Sequence, residues 1–164
     1  MSETFEFDKT VYLCDTNAEG NVYFARFFDW QGMAREEFFR RNVSNHMYIL
    51  QSGVRLITVN AWMIYQNECN LFDRVTVQVN TANLKQASLE LMFTFVNSTT
   101  RKLIGHGGER LAFASSEGQL LPIPDTIREN ARRFLITSFL ENTDLGLKVR
   151  SNIPAGGVSG ARKQ

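Results

Sequence analysis

Residues Tyr12–Glu37 read YLCDTNAEGNVYFARFFDWQGMAREE, and two patterns meet inside them. Cys14 to Asn21 is a polar turn carrying Asp15, Thr16, Asn17 and Gly20. From Val22 onward, Phe24, Phe27, Phe28, Gln31, Ala34 and Phe38 recur at three- and four-residue intervals, the spacing of an α-helix with one apolar face. With Trp30 and Phe39 added, that face is too aromatic to be left in water, so the spacing predicts a central core helix from Val22 to about Arg41. The polar turn then stands at a strand-to-helix junction, where the first N–H groups of the helix have no intrahelical acceptor. Arg35 lies one residue from the buried face.

Working outward, Thr4–Leu13 alternates through Phe5, Phe7, Val11 and Leu13 with polar residues between, which suits a half-buried first strand. Asn42–Gly53 reads as a connection with one helical turn around His46–Leu50, closed by Gly53. Four β-patterned runs follow: Val54–Asn67, Asp73–Lys85, Ala87–Asn97 and Leu103–Ser115. Their links, Glu68–Phe72, Gln86 and Asn97–Arg101, are short enough for antiparallel neighbours. Pro122 and Pro124 then lead into a second helix over Asp125–Leu135, with Ile127, Ala131 and Phe134 on one face. The order β-α-β-β-β-β-α describes an α+β fold in which an antiparallel five-stranded sheet curls around the first helix. We expect one domain over residues 1–140. The remainder, 141–164, has no acidic residue beyond Asp144 but carries Lys148, Arg150, Arg162 and Lys163, and is expected to be a flexible, weakly basic tail.

Composition narrows the function classes. Eighteen Lys+Arg against 17 Asp+Glu give a net charge of +1, too balanced for the electrostatic footprint of a nucleic-acid binder. No stretch approaches the apolar length of a membrane span, and MSETFEFDKT lacks the basic-then-apolar form of a signal peptide, so a cytoplasmic location is expected. Cys14 and Cys69 have neither CxxC spacing nor neighbouring histidines, which suggests neither zinc nor a disulfide. There is no nucleophile elbow, P-loop or dinucleotide fingerprint. The glycines of Gly105-His106-Gly107-Gly108 fall inside a predicted strand, and neither His46 nor His106 has a Ser or Cys beside it. What remains is the turn Asp15–Asn21, where helix N–H groups and the helix dipole can hold developing negative charge. Read structurally, Asn17 closes an Asx-type turn and Arg35 pairs with Glu36 or Asp29. Spacing alone does not lead to an enzyme.

Tyr12–Phe38 resembles the hot-dog-fold acyl thioesterases of the 4-hydroxybenzoyl-CoA thioesterase type, whose motif is an acidic turn, a glycine, an apolar-aromatic pair and the central helix. Element order and length agree over about residues 4–136. Within that family, Asn17-x-x-Gly20-Asn21-Val22-Tyr23-Phe24 followed by Trp30-Gln31-Gly32-x-x-Arg35-Glu36 is most similar to the thioesterases of enediyne polyketide biosynthesis. Asn17 stands where the general family has its catalytic aspartate, and an amide is neither a general base nor a carboxylate nucleophile. The resemblance implies hydrolysis without that acid. Asn17 and Arg35 would hold thioester and water, the backbone N–H groups of Tyr23 or Phe24 would receive the oxyanion, and Phe27, Phe28, Trp30 and Phe38 would line an acyl tunnel; the same aromatic residues are also explained by core packing. It further implies a β-keto polyene substrate on an acyl carrier protein of a polyketide synthase, decarboxylation of the released acid, no cofactor, and a homo-oligomer, dimer or homotetramer. Two alternatives stay open: a general acyl-CoA thioesterase in which Asp15 or Glu19 takes the missing acid's role, and a noncatalytic acyl-binding protein of the same fold.

Overall fold

The structure, a computed structural model, describes residues 2–45, 47, 51–143 and 146–151. Strand β1 (Phe5–Thr10) leads through a 3-10 turn at Leu13–Asp15 to helix α1 (Arg26–Asn42). Strands β2 (Arg55–Tyr65), β3 (Arg74–Ala82), β4 (Ser88–Asn97) and β5 (Leu103–Ala114) follow, then helix α2 (Asp125–Arg133) and the strands β6 (Ser138–Thr143) and β7 (Gly146–Ser151). The first five strands form one sheet in the order β1-β3-β4-β5-β2, every neighbouring pair antiparallel. Because side chains alternate across a strand, Val75, Val77 and Val79 of β3, Leu89, Leu91, Phe93 and Phe95 of β4, and Leu111 and Phe113 of β5 all face α1 and are buried. The helix answers with Phe27, Trp30, Ala34 and Phe38, a stripe at i, i+3, i+7 and i+11. Phe38 closes one end of this core against Phe5, Phe39 and Phe134, with ring centroids 5.6, 5.5 and 5.0 Å away. Phe27 closes the other against Trp30, Phe95 and Tyr65 at 4.9, 5.3 and 5.4 Å. This is the expected α+β hot-dog architecture, a sheet wrapped around one helix.

Three boundaries differ from the sequence reading. The first strand stops at Thr10, and Leu13, 76% exposed, sits in the 3-10 turn. Helix α1 begins at Arg26 and not at Val22, because the preceding backbone groups are drawn sideways: the Val22 N–H donates to the Cys69 carbonyl at 2.8 Å and that of Tyr23 to the Asp15 carbonyl at 2.9 Å. Residues 141–164 were expected to be a tail, yet their first part pairs as the β6–β7 hairpin, in register from Ser138↔Ser151 to Thr143↔Gly146. Leu147 and Val149 alternate with Lys148 and Arg150 there, a period of two that the basic composition obscured. The rest of that tail, and the helical turn expected around His46–Leu50 apart from Met47, lie outside the described residues.

The glycine run of β5 is explained by packing. A methyl group on Gly107 would strike the Gln31 side-chain amide and come within 3.0 Å of the Trp62 carbonyl, while one on Gly108 would meet the Trp62 indole at 2.6 Å. These glycines let α1 approach from one side of the sheet and Trp62 lie flat on the other. Gly107→Ala should therefore destabilise the fold by about 1–3 kcal/mol, the range of an overpacked core. Gly32, inside α1 with nothing within 4 Å of its added methyl group, gives the opposite expectation: Gly32→Ala should stabilise by about 0.5–1 kcal/mol. Thermal denaturation of the two variants beside the wild type checks both signs.

Candidate active site

The polar turn folds back on itself. The Asn17 N–H donates to the Asn21 carbonyl at 2.9 Å and the Gly20 N–H to the Asn17 carbonyl at 3.1 Å, with Gly20 at φ +88°, where a side chain would be strained. The Asn17 amide takes part at both ends: Oδ1 accepts the Glu19 N–H at 2.9 Å, and Nδ2 donates to Asn21 Oδ1. Asn17 thus closes an Asx turn, and one Nδ2 hydrogen is left over to donate to a ligand. Asp15 is spent elsewhere. It is 6% exposed, its carboxylate accepts the Tyr12 N–H at 2.9 Å, and Lys9 Nζ stands 3.4 Å away.

Bridges from Thr16 to Val22 and from Asn21 to Asn70 bring this turn against the segment that leaves β2. Between them lies a cavity of about 410 Å³, bounded by Asn17 and Asn21, by Tyr23, Phe24 and Phe27 at the start of α1, and by Tyr65 to Cys69. Its size falls in the range of small-molecule sites, and it combines the side-chain amides of Asn17, Asn21, Gln66 and Asn67 with an aromatic floor. The floor is rigid: the Tyr65 hydroxyl donates to the Phe24 carbonyl at 2.9 Å while its ring stands edge-on to Phe27. Burial, reinforced by Asp73, pushes the Cys69 thiol up to about 12, so it stays protonated at neutral pH and cannot serve as a thiolate nucleophile.

The predicted site residues separate under this geometry. Tyr23 and Phe24 both border the cavity, but the Tyr23 N–H is already donated to Asp15. The Phe24 N–H has no acceptor among the described residues, so of the expected pair it is the one free to donate. Of the four tunnel aromatics only Phe27 reaches the cavity. Trp30 and Phe38, both 1% exposed, are core, because the helical stripe that carries them points at the sheet; Phe28 is one residue off that stripe and 37% exposed. Arg35 is also absent from the cavity wall. It lies eight residues beyond Phe27, about 12 Å along the helix axis, where it bonds Glu109, Thr58 and Glu36. Its pairing with Glu36 matches the structural alternative in part, whereas Asp29 pairs with Arg26 instead.

Tyr65, Asn21 and Glu68 were missed by sequence reasoning. Asn21 stood in the motif without a role, and Tyr65 and Glu68 had no local signal, since only the bridge from Asn21 to Asn70 places their segment beside the turn. His106 sits in β5 with Nδ1 3.3 Å from Thr94 Oγ1, and desolvation lowers its pKa below the ordinary imidazole value; His46 lies outside the described residues.

Comparison with known proteins agrees with this architecture. Residues 11–131 match the family model of the thioesterase-like superfamily. A 1,4-dihydroxy-2-naphthoyl-CoA hydrolase from Thermosynechococcus vestitus is 25% identical over 120 residues, 73% of this chain and 77% of that protein. The dynemicin thioesterase, whose crystal structures concern polyene binding, superposes with a TM-score of 0.77 at 26% identity, over 82% of this chain and 99% of that one. A 1,4-dihydroxy-2-naphthoyl-CoA thioesterase from Synechocystis shares the fold with a TM-score of 0.74 at 20% identity, over 79% and 96% of the two chains. No described helix is long and apolar enough to cross a membrane. With a cavity that joins amide donors, a backbone N–H just ahead of α1 that has no acceptor among the described residues, and an aromatic floor, this chain belongs to the thioesterase-like superfamily and is a thioester hydrolase.

Proposed function

We propose that the chain releases a β-keto polyene from the acyl carrier protein of an enediyne polyketide synthase by hydrolysis, the freed β-keto acid then losing carbon dioxide. The observation that carries this reading is the Asn17 amide in the wall of a cavity floored by Phe27 and Tyr65, where the aspartate of the general family would stand. A flat, conjugated chain suits edge-on aromatic walls, and likeness to a thioesterase studied with polyenes supports the same class. Asn17 Nδ2 and the Phe24 N–H would stabilise charge on the thioester oxygen as water adds, and the helix dipole would add to both.

Arg35 joins this site across a dimer in our reading. β2 is an edge strand of 11 residues with its outer backbone groups unpaired among the described residues, a surface that invites another strand. Antiparallel pairing of two copies about the middle of β2, near Asn60, would set the Thr58 end of one strand against the Trp62 end of the other. Since Arg35 bonds Thr58, the partner's Arg35 would approach the Tyr65 wall of the cavity. A second reading rests on Glu68, a carboxylate in the cavity wall: a general acyl-CoA thioesterase in which Glu68 activates the water.

Incubation with the carrier-bound polyene and with a set of acyl-CoA thioesters, read by mass spectrometry of the released acids and ketones, separates the two. Asn17→Ala should lower turnover of the carrier-bound substrate by about tenfold or more, as for loss of one oxyanion donor. Asn17→Asp should lower it too, since a carboxylate offers no N–H to the substrate; a gain toward simple acyl-CoA thioesters would instead favour acid catalysis. Glu68→Gln should leave release from the carrier intact, and a loss of about a hundredfold would establish the second reading. Light scattering should give a particle of at least twice 18.7 kDa, and a monomer would remove Arg35 from the site.

A further inference from the structure

Arg35 is gripped unequally on its two edges. On the inner edge, Nη1 donates to Glu109 Oε2 at 2.9 Å and to Thr58 Oγ1 at 3.1 Å. Glu109 is 5% exposed, on the helix-facing side of β5, with Ala61 of β2 and Leu91 of β4 as its cross-strand neighbours. On the outer edge, Nε and Nη2 reach a single oxygen, Glu36 Oε1, at 3.3 and 3.2 Å, and the Glu36 side chain is 61% exposed. Two parallel N–H groups suit both oxygens of a carboxylate at about 2.7–2.9 Å. Glu36 offers one oxygen, at longer range, from a solvated position where ion pairs contribute little. The inner contact is therefore fixed and the outer one exchangeable.

We propose that Glu109 is a positioning residue that locks Arg35 by its inner edge, and that the Nε/Nη2 edge is a subsite for an oxyanion of the acyl substrate or its carboxylate product, with Glu36 as the surface group it displaces. This rests on the reading that Arg35 takes part in hydrolysis. The charged groups facing Glu109 are Arg35, which favours its ionised form, and Glu36, which disfavours it; both come from α1. Burial, the largest influence, raises the Glu109 pKa above the ordinary carboxylate value. As pH falls through that raised value Glu109 takes up a proton, the lock on Arg35 loses its charge, and activity should fall with it.

The test uses the full-length chain and the fastest wild-type substrate among octanoyl-, 3-oxo-octanoyl- and benzoyl-CoA and the carrier-bound polyene, with thiol release as the rate and octanoate or benzoate as the product-like inhibitor. Glu109→Gln should lower kcat by about tenfold or more with KM little changed, and should erase the acid limb of the kcat/KM profile. Glu36→Gln should tighten inhibition by the carboxylate about threefold or more, because the competitor is gone. The proposal is overturned if Glu109→Gln, folded by circular dichroism, keeps the wild-type kcat and acid limb. Should Glu109→Gln not fold, Glu36→Gln decides: an unchanged or weaker carboxylate inhibition overturns the subsite. Wild-type protein that releases thiol from none of these thioesters overturns the hydrolytic reading itself, before any variant is compared.

Discussion

One helix face governs this molecule. Phe27, Trp30, Ala34 and Phe38 must be covered, and a twisted antiparallel sheet is the element wide enough to cover all four, so the sheet wraps α1 and sends its valines, leucines and phenylalanines inward. The close approach of helix and sheet is possible because β5 carries glycine at 107, beneath the Gln31 side chain. Gln31 is wholly buried there; its Nε2 donates to the Trp62 carbonyl at 3.1 Å, while its Oε1 has no partner among the described residues. A buried orphan carbonyl costs free energy, so this contact fixes the helix to β2 at some expense. Once α1 is fixed, its N-terminus and the turn before it are fixed as well, and the cavity follows.

The fold was legible because its signals are periodic. Spacing of three and four residues marked α1, spacing of two marked β2 through β5, and the short links between them required antiparallel neighbours. The site was legible only where it is local. Asn17, Phe24 and Phe27 lie on one continuous stretch and line the same cavity. Tyr65 and Glu68 come from across the fold, joined to the turn by backbone bridges that leave no mark on the sequence. The aromatic residues show the complementary error: helical period identifies a buried face, but it does not say which buried residues meet a ligand and which meet only each other. Trp30 and Phe38, each 1% exposed, pack in the core between helix and sheet.

The separation of Asn17 from Arg35 has a physical consequence. Eight residues of helix between Phe27 and Arg35 are rigid, so side-chain motion cannot bring Arg35 back over about 12 Å to its own cavity. Either Arg35 is structural in its own subunit or it serves a neighbouring one. In the dimer we propose, Arg35 would serve the neighbour, since the outer edge of β2, unpaired among the described residues and beside half-buried Trp62, Met63 and Ile64, invites a second copy. The register shift between Thr58 and Asn60, with Val59 55% exposed, interrupts the strand at the level where Arg35 docks.

The Arg35–Glu109 pair bears on the same choice from energetics. Taking a carboxylate to 5% exposure incurs a desolvation penalty that its attraction to one guanidinium roughly offsets at best, and apolar residues of similar volume in such a place fold equally well or better. The raised Glu109 pKa carries the same message in its sign. The folded state binds that proton more readily than the unfolded chain, so between the unfolded and folded pKa values this group's contribution to stability decreases as pH rises. Folding alone therefore gives no reason for charge at position 109. A directed guanidinium does: the buried carboxylate holds one edge of Arg35 still, and the other edge is left to whatever anion the assembled site presents.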